Sequence, residues 1–308
     1  MRAPTPWPSL DFEEIRPTAA YLHRISQIAG KYTLGEPFEP NWGNVLMPVT
    51  ARGFATPTLY EDGVFFSVEY ALLDDRVTIS ASTGRASVPL EPGSVAGFYA
   101  RFAEAAASLG IPPLPNALQP EIPGAPPLDE DTEERAYDPD AARRIWSVLA
   151  HAQAALLDYQ APFAGHRPRV GLMWGAFDLS ATRSSGRAVE PPDTHPTFLR
   201  NGMTSEVVAV GFVFGDEASP VPQFYGYISP APDGLEHASF GVPEAAWDPA
   251  AGLIVLPYEA VRASEDPHAT VVRFADAVYA VAVELGGWPA ELAGPHIGGW
   301  YATSRPVF

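Results

Sequence analysis

Val88-Pro89-Leu90-Glu91 is followed a few residues later by Arg101-Phe102-Ala103-Glu104-Ala105, and Leu256-Pro257-Tyr258-Glu259 by Arg273-Phe274-Ala275-Asp276-Ala277. In each passage an apolar run meets a proline, an acidic residue follows, and a helix-like segment carries Arg-Phe-Ala-acid-Ala. The register agrees apart from a short insertion in the second passage. Working outward, each half of the chain reads helix, consecutive strands, helix. Strands joined by short turns favour antiparallel sheet, and helices kept to the ends give α+β rather than a doubly wound fold. The expectation is an α+β globule of two related helix–antiparallel-strands–helix halves, an internal duplication with a pseudo-two-fold axis. A crevice between such halves is the natural place for a site. The boundaries read as a first half over 1–112, a connector over 113–138, a second half over 139–287 and an aromatic, Gly-rich tail over 288–308.

The elements follow from punctuation and period. A first helix is expected from Pro17 to Gly30, with Leu22, Ile25, Ile28 and Ala29 in one apolar stripe. Strand-like runs lie near Val45–Thr50, Val64–Leu72, Val77–Ala81 and Ala86–Leu90. Ser94 caps a helix that Gly110 stops. Prolines from Pro112 to Pro127 cannot sit in a regular helix or a central strand, so this stretch is a semi-rigid connector. It ends in the acidic run Asp129 to Glu134, expected to be a solvated surface. Asp138-Pro139 and Asp266-Pro267 each read as a cap followed by an N1 proline opening a long helix. Between them, strands are expected near Arg169–Leu179, Ser205–Phe214, Gln223–Ile228 and Leu253–Leu256.

Composition removes several classes of chemistry. The formal net charge of −18 repels phosphate backbones and anionic lipids, and no basic cluster locally reverses that field. Nucleic acid and membrane are therefore not expected partners; a small-molecule ligand is. There is no cysteine, which excludes disulfides, thiolate nucleophiles and thiolate metal sites. Lys31 is the only lysine, so a Schiff base would have to use it. Its place at a helix C-terminus suits the helix dipole, and it reads as structural. Met1 to Pro8 show no basic segment leading into an apolar one, and no apolar run approaches bilayer length, so the expected location is the cytoplasm.

Recognised motifs are absent: no glycine-rich nucleotide fingerprint, no phosphate loop, no nucleophile elbow. The histidines are scattered with no pair at metal-ligand spacing, so neither metal nor organic cofactor is expected. One stretch stands out, Trp174-Gly175-Ala176-Phe177-Asp178-Leu179-Ser180-Ala181-Thr182-Arg183-Ser184-Ser185-Gly186-Arg187. Its period of two puts Asp178, Ser180 and Thr182 on one face and Phe177, Leu179 and Ala181 on the other. An Asp, two hydroxyls and an arginine can present an acid and an anion-binding fork together. Equally, this is the solvent side of an antiparallel sheet with Asp178 paired to Arg183 or Arg187; both readings stay open. Glu206 and Tyr258-Glu259 sit at the edges of apolar runs, where a carboxylate can be desolvated and its pKa raised. Tyr225 and Tyr227 alternate on one strand face, as pocket lining or as packing.

Trp7-Pro8-Ser9-Leu10, Val49-Thr50-Ala51-Arg52-Gly53, Asp129-Glu130-Asp131-Thr132 with Tyr137-Asp138-Pro139, Trp174 through Arg187, and Leu256 through Arg262 together resemble a bacterial family, the domain of unknown function numbered 5996. The likeness covers most of the chain, and Trp-Gly-x-Phe-Asp-Leu-x-x-Thr-Arg is its most specific part. The family carries no established activity, so the departures from its pattern are the more useful part. Members often place histidines where this chain has Asn41-Trp42-Gly43-Asn44, Glu134, Gly171 and Ser205-Glu206. If those histidines form a metal or acid–base site in the family, this chain has lost it or replaced it with Asn44, Glu134 and Glu206. The resemblance thus points away from a metalloenzyme and toward a repurposed or non-catalytic relative.

The leading expectation is a small-molecule enzyme without organic cofactor. In it Asp178 or Glu206 acts as general acid/base and Arg183 or Arg262 holds an anionic group. Trp174, Phe177 and Tyr258 wall the cleft, with Glu259 and Asn44 beside them. The rivals are a ligand-binding or protein-interaction module without chemistry and a metal-dependent enzyme with a degenerate site.

Overall fold

A computed structural model describes residues 7–216 and 219–294. Its first helix, α1, spans Phe12–Tyr32 and starts five residues before the expected Pro17, because Asp11 caps it by accepting from the Glu13 and Glu14 amides. Pro17 lies inside the helix rather than at its first position. Six strands follow: β1 Leu46–Met47, β2 Phe54–Ala55, β3 Leu59–Glu61, β4 Val64–Ala71, β5 Arg76–Ala81 and β6 Gly84–Pro89. Ser94 then caps α2, Val95–Ser108, through the Gly97 amide. After an irregular connector, Asp138 and Pro139 open α3, Pro139–Gln160. The second half continues with β7 Gly171–Met173, β8 Asp178–Ala188, α4 Thr197–Gly202, β9 Ser205–Val213 and β10 Gln223–Ser229. It closes with β11 Ala246–Asp248, β12 Leu253–Pro257, α5 Tyr258–Ala263 and α6 Pro267–Gly286. The part of the expected tail beyond Gly294 lies outside the described residues.

The strands form two antiparallel sheets. β2, β4, β5 and β6 make one in that order, with β3 also pairing β4; β1-β7-β8-β9-β10-β12-β11 makes the other. The fold is thus mixed α and β with antiparallel sheets. The two sheets are not built from separate halves of the chain, since β1 joins the second sheet through Leu46–Met173 and Met47–Leu172. One cluster of buried side chains runs through both, from Ile15 and Tyr70 to Phe274 and Val278.

α3 and α6 pack on each other and cover one face of the seven-stranded sheet. Gly226 of β10 shows how close that cover is, because a Cβ there would meet Val278 of α6 at 3.0 Å. α1 links the sheets: Tyr70 of β4 donates its hydroxyl to the Ile25 carbonyl, and Gln27 donates to the Trp174 carbonyl beyond β7. Two expectations change here. The acidic run before α3 is not wholly solvated, since Asp131 is 2% exposed and is held by Arg24 and Arg135. The strand expected over Arg169–Leu179 is instead a hairpin, β7, a turn and β8. Lys31 ends α1 close to Glu121 and 5.6 Å from the Trp174 ring centre.

Candidate functional site

The signature stretch changes role at residue 178. Residues 174–177 turn the chain: the Ala176 and Phe177 amides both donate to the Met173 carbonyl, and Phe177 takes a left-handed backbone at φ 57°. The reversal drives both aromatic side chains inward. Trp174 donates its indole N–H to Thr33 Oγ1 at 3.1 Å and lies against α1 so closely that a Cβ on Gly30 would come within 2.3 Å of the ring. Phe177 packs among His23, Phe54 and Phe214, with centroids 5.7–6.0 Å away. Both serve the core and do not share a pocket wall with Tyr258.

From Asp178 to Ser184 successive side chains point to opposite sides of a strand buried on both faces from Leu179 on. Leu179, Ala181 and Arg183 face the helices, and Asp178, Ser180 and Thr182 face the other way. Arg183 is therefore enclosed by α3 and α6. Its guanidinium lies 3.6 Å from the Tyr159 ring centre, with Tyr279 at 4.8 Å and Phe163 at 5.1 Å. It donates to the Tyr159 carbonyl and stands 3.9 Å from Asp276. It is 1% exposed, with no room for a substrate anion.

On the opposite face, Ser180 pairs with Gly211, and Gly211 with Tyr225. The missing side chain at 211 is what lets Tyr225 reach across β9, since a Cβ there would sit 2.5 Å from the tyrosine hydroxyl. That hydroxyl donates to Asp178 Oδ2 at 2.5 Å. Tyr227 lies parallel to Tyr225 at 6.4 Å on the same face. Asp178 is thus partly buried among hydroxyls, and among the described residues no arginine pairs with it.

The remaining expected residues fall elsewhere. Glu206 accepts from Ser185 Oγ at 2.6 Å and Arg187 Nε at 2.7 Å, near the far end of β8, and Arg187 is held in turn by the Gly287 carbonyl. Glu259 and Arg262 close a bidentate pair within α5. Tyr258 donates its hydroxyl to the Pro8 carbonyl and, with Glu259, lines a surface pocket of about 430 Å³ beside the start of α1. Asn44 braces its own loop, accepting from the Glu39 amide and donating to the Thr33 carbonyl. The structure brings Asp178, Ser180 and Tyr225 together, and separates them from Arg183, Glu206, Arg262 and Tyr258.

A model of a family of unknown function, DUF5996, matches residues 7–294. The chain belongs to the DUF5996 family. No curated protein and no solved structure matches it. Within this DUF5996 chain, the stretch from Trp174 to Arg187 supplies both the close packing of Trp174 on α1 and the Asp178 cluster.

Burial dominates the electrostatics of that cluster. Desolvation pushes the Asp178 carboxyl up to about 6, against the hydrogen bond from Tyr225, which favours the anion and pulls the value down. The Tyr225 hydroxyl is raised well above its ordinary value, first by burial and then by the Asp178 charge. Tyr227 is raised to about 12 for the same reasons. Among the described residues of this DUF5996 chain, no group of three or more His, Asp or Glu side chains is placed to hold a metal ion. No helix among them is long and apolar enough to cross a membrane. Tyr225 was legible in the sequence only as one of two alternating tyrosines. Gly211, in the middle of an apolar strand, is the signal that a ring crosses the backbone there.

Proposed function

We propose that this protein is a cytoplasmic, cofactor-independent enzyme acting on a small molecule, with Asp178 as its general acid/base and Tyr225 as the group that orients it. The observation that supports the reading most is the Tyr225–Asp178 hydrogen bond on the face opposite α3 and α6, at a partly buried carboxyl held near 6. A carboxyl titrating there accepts and returns a proton near neutral pH, where an ordinary aspartate is fully ionised. Ser180 and Tyr227 supply the hydroxyls that would fix a polar substrate beside it. Glu206 and Arg262, locked in their own pairs, play no part in this step, and the acidic charge disfavours nucleic acid and membrane as partners. The halves on either side of the connector we read as products of a duplication, on the strength of the two Arg-Phe-Ala passages.

A second reading is a ligand-binding module without chemistry. It is favoured by two surface pockets of about 500 and 430 Å³, neither of which is lined by Asp178. The two readings part on one experiment. Incubating the protein with a mixture of small polar metabolites, and following each by mass spectrometry, should reveal a compound consumed by the native chain and spared by Asp178→Asn. Equal consumption by the variant would remove Asp178 from the chemistry. Depletion by stoichiometric binding alone would establish the module.

A further inference from the structure

Arg101 and Arg273 occupy matching places in the two passages that share Arg-Phe-Ala, yet their surroundings differ. Arg101 has Glu91 within 3.7 Å, the acidic residue of its own passage. The counterpart of Glu91 is Glu259, which is already taken by Arg262 within α5. Helix α5 falls within the stretch where the second passage carries its short insertion, and it leaves Arg273 without that partner. Among the described residues Arg273 has no carboxylate within ion-pair reach; its one hydrogen bond goes to Thr270 Oγ1 at 3.1 Å.

That arginine lines a pocket of about 500 Å³ between α5, α6 and the loop before β11, well within the range of small-molecule sites. Val242, Ala260 and Ala263 give it apolar walls, and Glu244 also lines it, likewise without a cationic partner among the described residues. The polar floor has a fixed direction. Thr270 donates to Ser264 Oγ at 3.0 Å, and Ser264 donates to the Val261 carbonyl at 2.7 Å. Each hydroxyl proton is therefore spent. What the pocket still offers is the N–H groups of Arg273 as donors, with Ser264 Oγ and the Glu244 carboxylate as acceptors. A cation and an anion that line one pocket without closing on each other are matched by a ligand carrying both complementary charges.

We infer that this pocket binds a small zwitterion of the amino-acid type, its carboxylate on Arg273, its ammonium on Glu244 and Ser264, and its side chain against Val242 and the alanines. The site lies on the helix side of the seven-stranded sheet and is independent of Asp178. A guanidinium–carboxylate contact of this kind is charge-assisted and fork-shaped, which a neutral amide cannot reproduce.

The test is calorimetric titration of the full chain with each free amino acid, repeated with the N-acetyl and carboxamide forms, and backbone-amide NMR to locate the site. At least one free amino acid should bind and shift the amides of 241–244 and 263–273. Blocking either charged end should weaken it. Arg273→Gln, at an exposed position, should weaken binding about tenfold or more without changing the melting temperature. Glu244→Gln should weaken the free amino acid while leaving its N-acetyl form unchanged. Absence of binding by every amino acid at about 10 mM, a level weaker than specific recognition needs, would overturn the inference. So would unchanged affinity in Arg273→Gln, or inorganic phosphate competing as well as the amino acid, which would mark a plain anion site.

Discussion

Asp178 and Arg183 stand on one strand and face opposite sides of the sheet, the carboxyl toward Tyr225 and the guanidinium toward Tyr159. An odd sequence separation on a regular strand guarantees this, so the two cannot grip one substrate. The separation also sorts the charges by environment. The cation sits among three rings, where a guanidinium's weak hydration and flat faces let it stack. The acid sits among hydroxyls, which stabilise its charge only in part. That leaves Asp178 as the group whose protonation changes near neutral pH.

Asp178 should cost the fold stability at neutral pH. Its carboxyl titrates at about 6 in the folded chain against 3.8 when unperturbed, so the folded state holds its proton more tightly than the unfolded state does. With the folded value raised, the contribution is fully present below about 3.8 and is lost as pH rises through about 6. Asp178→Asn removes this loss and keeps an acceptor for Tyr225. Denaturant titration should show the variant more stable than the native chain at pH 7.5, by on the order of 1–3 kcal/mol. The gain should shrink toward pH 4. A variant less stable than the native chain at pH 7.5 would contradict the desolvated carboxyl.

Tyr225→Phe tests the same group from its partner. The tyrosine donates to the charged form of Asp178 and so lowers its pKa; without it, desolvation acts alone. Carboxyl-carbon NMR of the variant should place the Asp178 midpoint above the native value of about 6. A downward movement would mean that water entering the vacated space outweighs the lost hydrogen bond.

Arg183 should matter for stability alone. Arg183→Met keeps an unbranched apolar stem but removes the stacking on Tyr159, Tyr279 and Phe163 and leaves the Tyr159 carbonyl without its donor. The expected loss is about 2–4 kcal/mol in denaturant titration. The Asp178 midpoint should stay at its native value, since the backbone of the sheet lies between the two groups. A shifted midpoint would show the two faces to be coupled.

Periodicity and capping made most of the fold legible in advance. Ser94, Asp138 and Asp266 each cap the helix they were expected to open, because a short oxygen-bearing side chain before an apolar 3.6-residue stripe has one good use. The same logic misplaced α1, where Pro17 looked like a start while Asp11 supplied the actual cap. Within the site, alternation placed Asp178 correctly against Leu179, yet the turn at 174–177 was hidden, because nothing in Trp-Gly-Ala-Phe announces a left-handed Phe177. Which acid meets which base is a matter of register between distant strands. The Tyr225–Gly211–Ser180 row became visible only once β8, β9 and β10 were aligned.

His23 should oppose Asp178 in the pH dependence of stability. Burial lowers its pKa, more than the hydrogen bond of its Nε2 with the Gly175 carbonyl raises it, and the ring stacks on Phe177 at 5.7 Å. The unfolded chain therefore binds a proton that the folded chain resists. Stability contributed by the neutral ring is present above about 6.5 and is lost as pH falls below it, at no more than about 1.4 kcal/mol per pH unit. His151, lowered mainly by its burial beside Trp7, has the same sign, so His23→Gln should remove only part of the slope. Denaturant titrations of the native chain and of His23→Gln between pH 8 and 5 read the difference directly. In Asp178→Asn the histidine slope stands alone and should be steeper on the acid side than in the native chain, where Asp178 partly cancels it. Identical slopes in native and His23→Gln proteins would show that the His23 pKa does not change on folding, the Gly175 carbonyl offsetting burial in full.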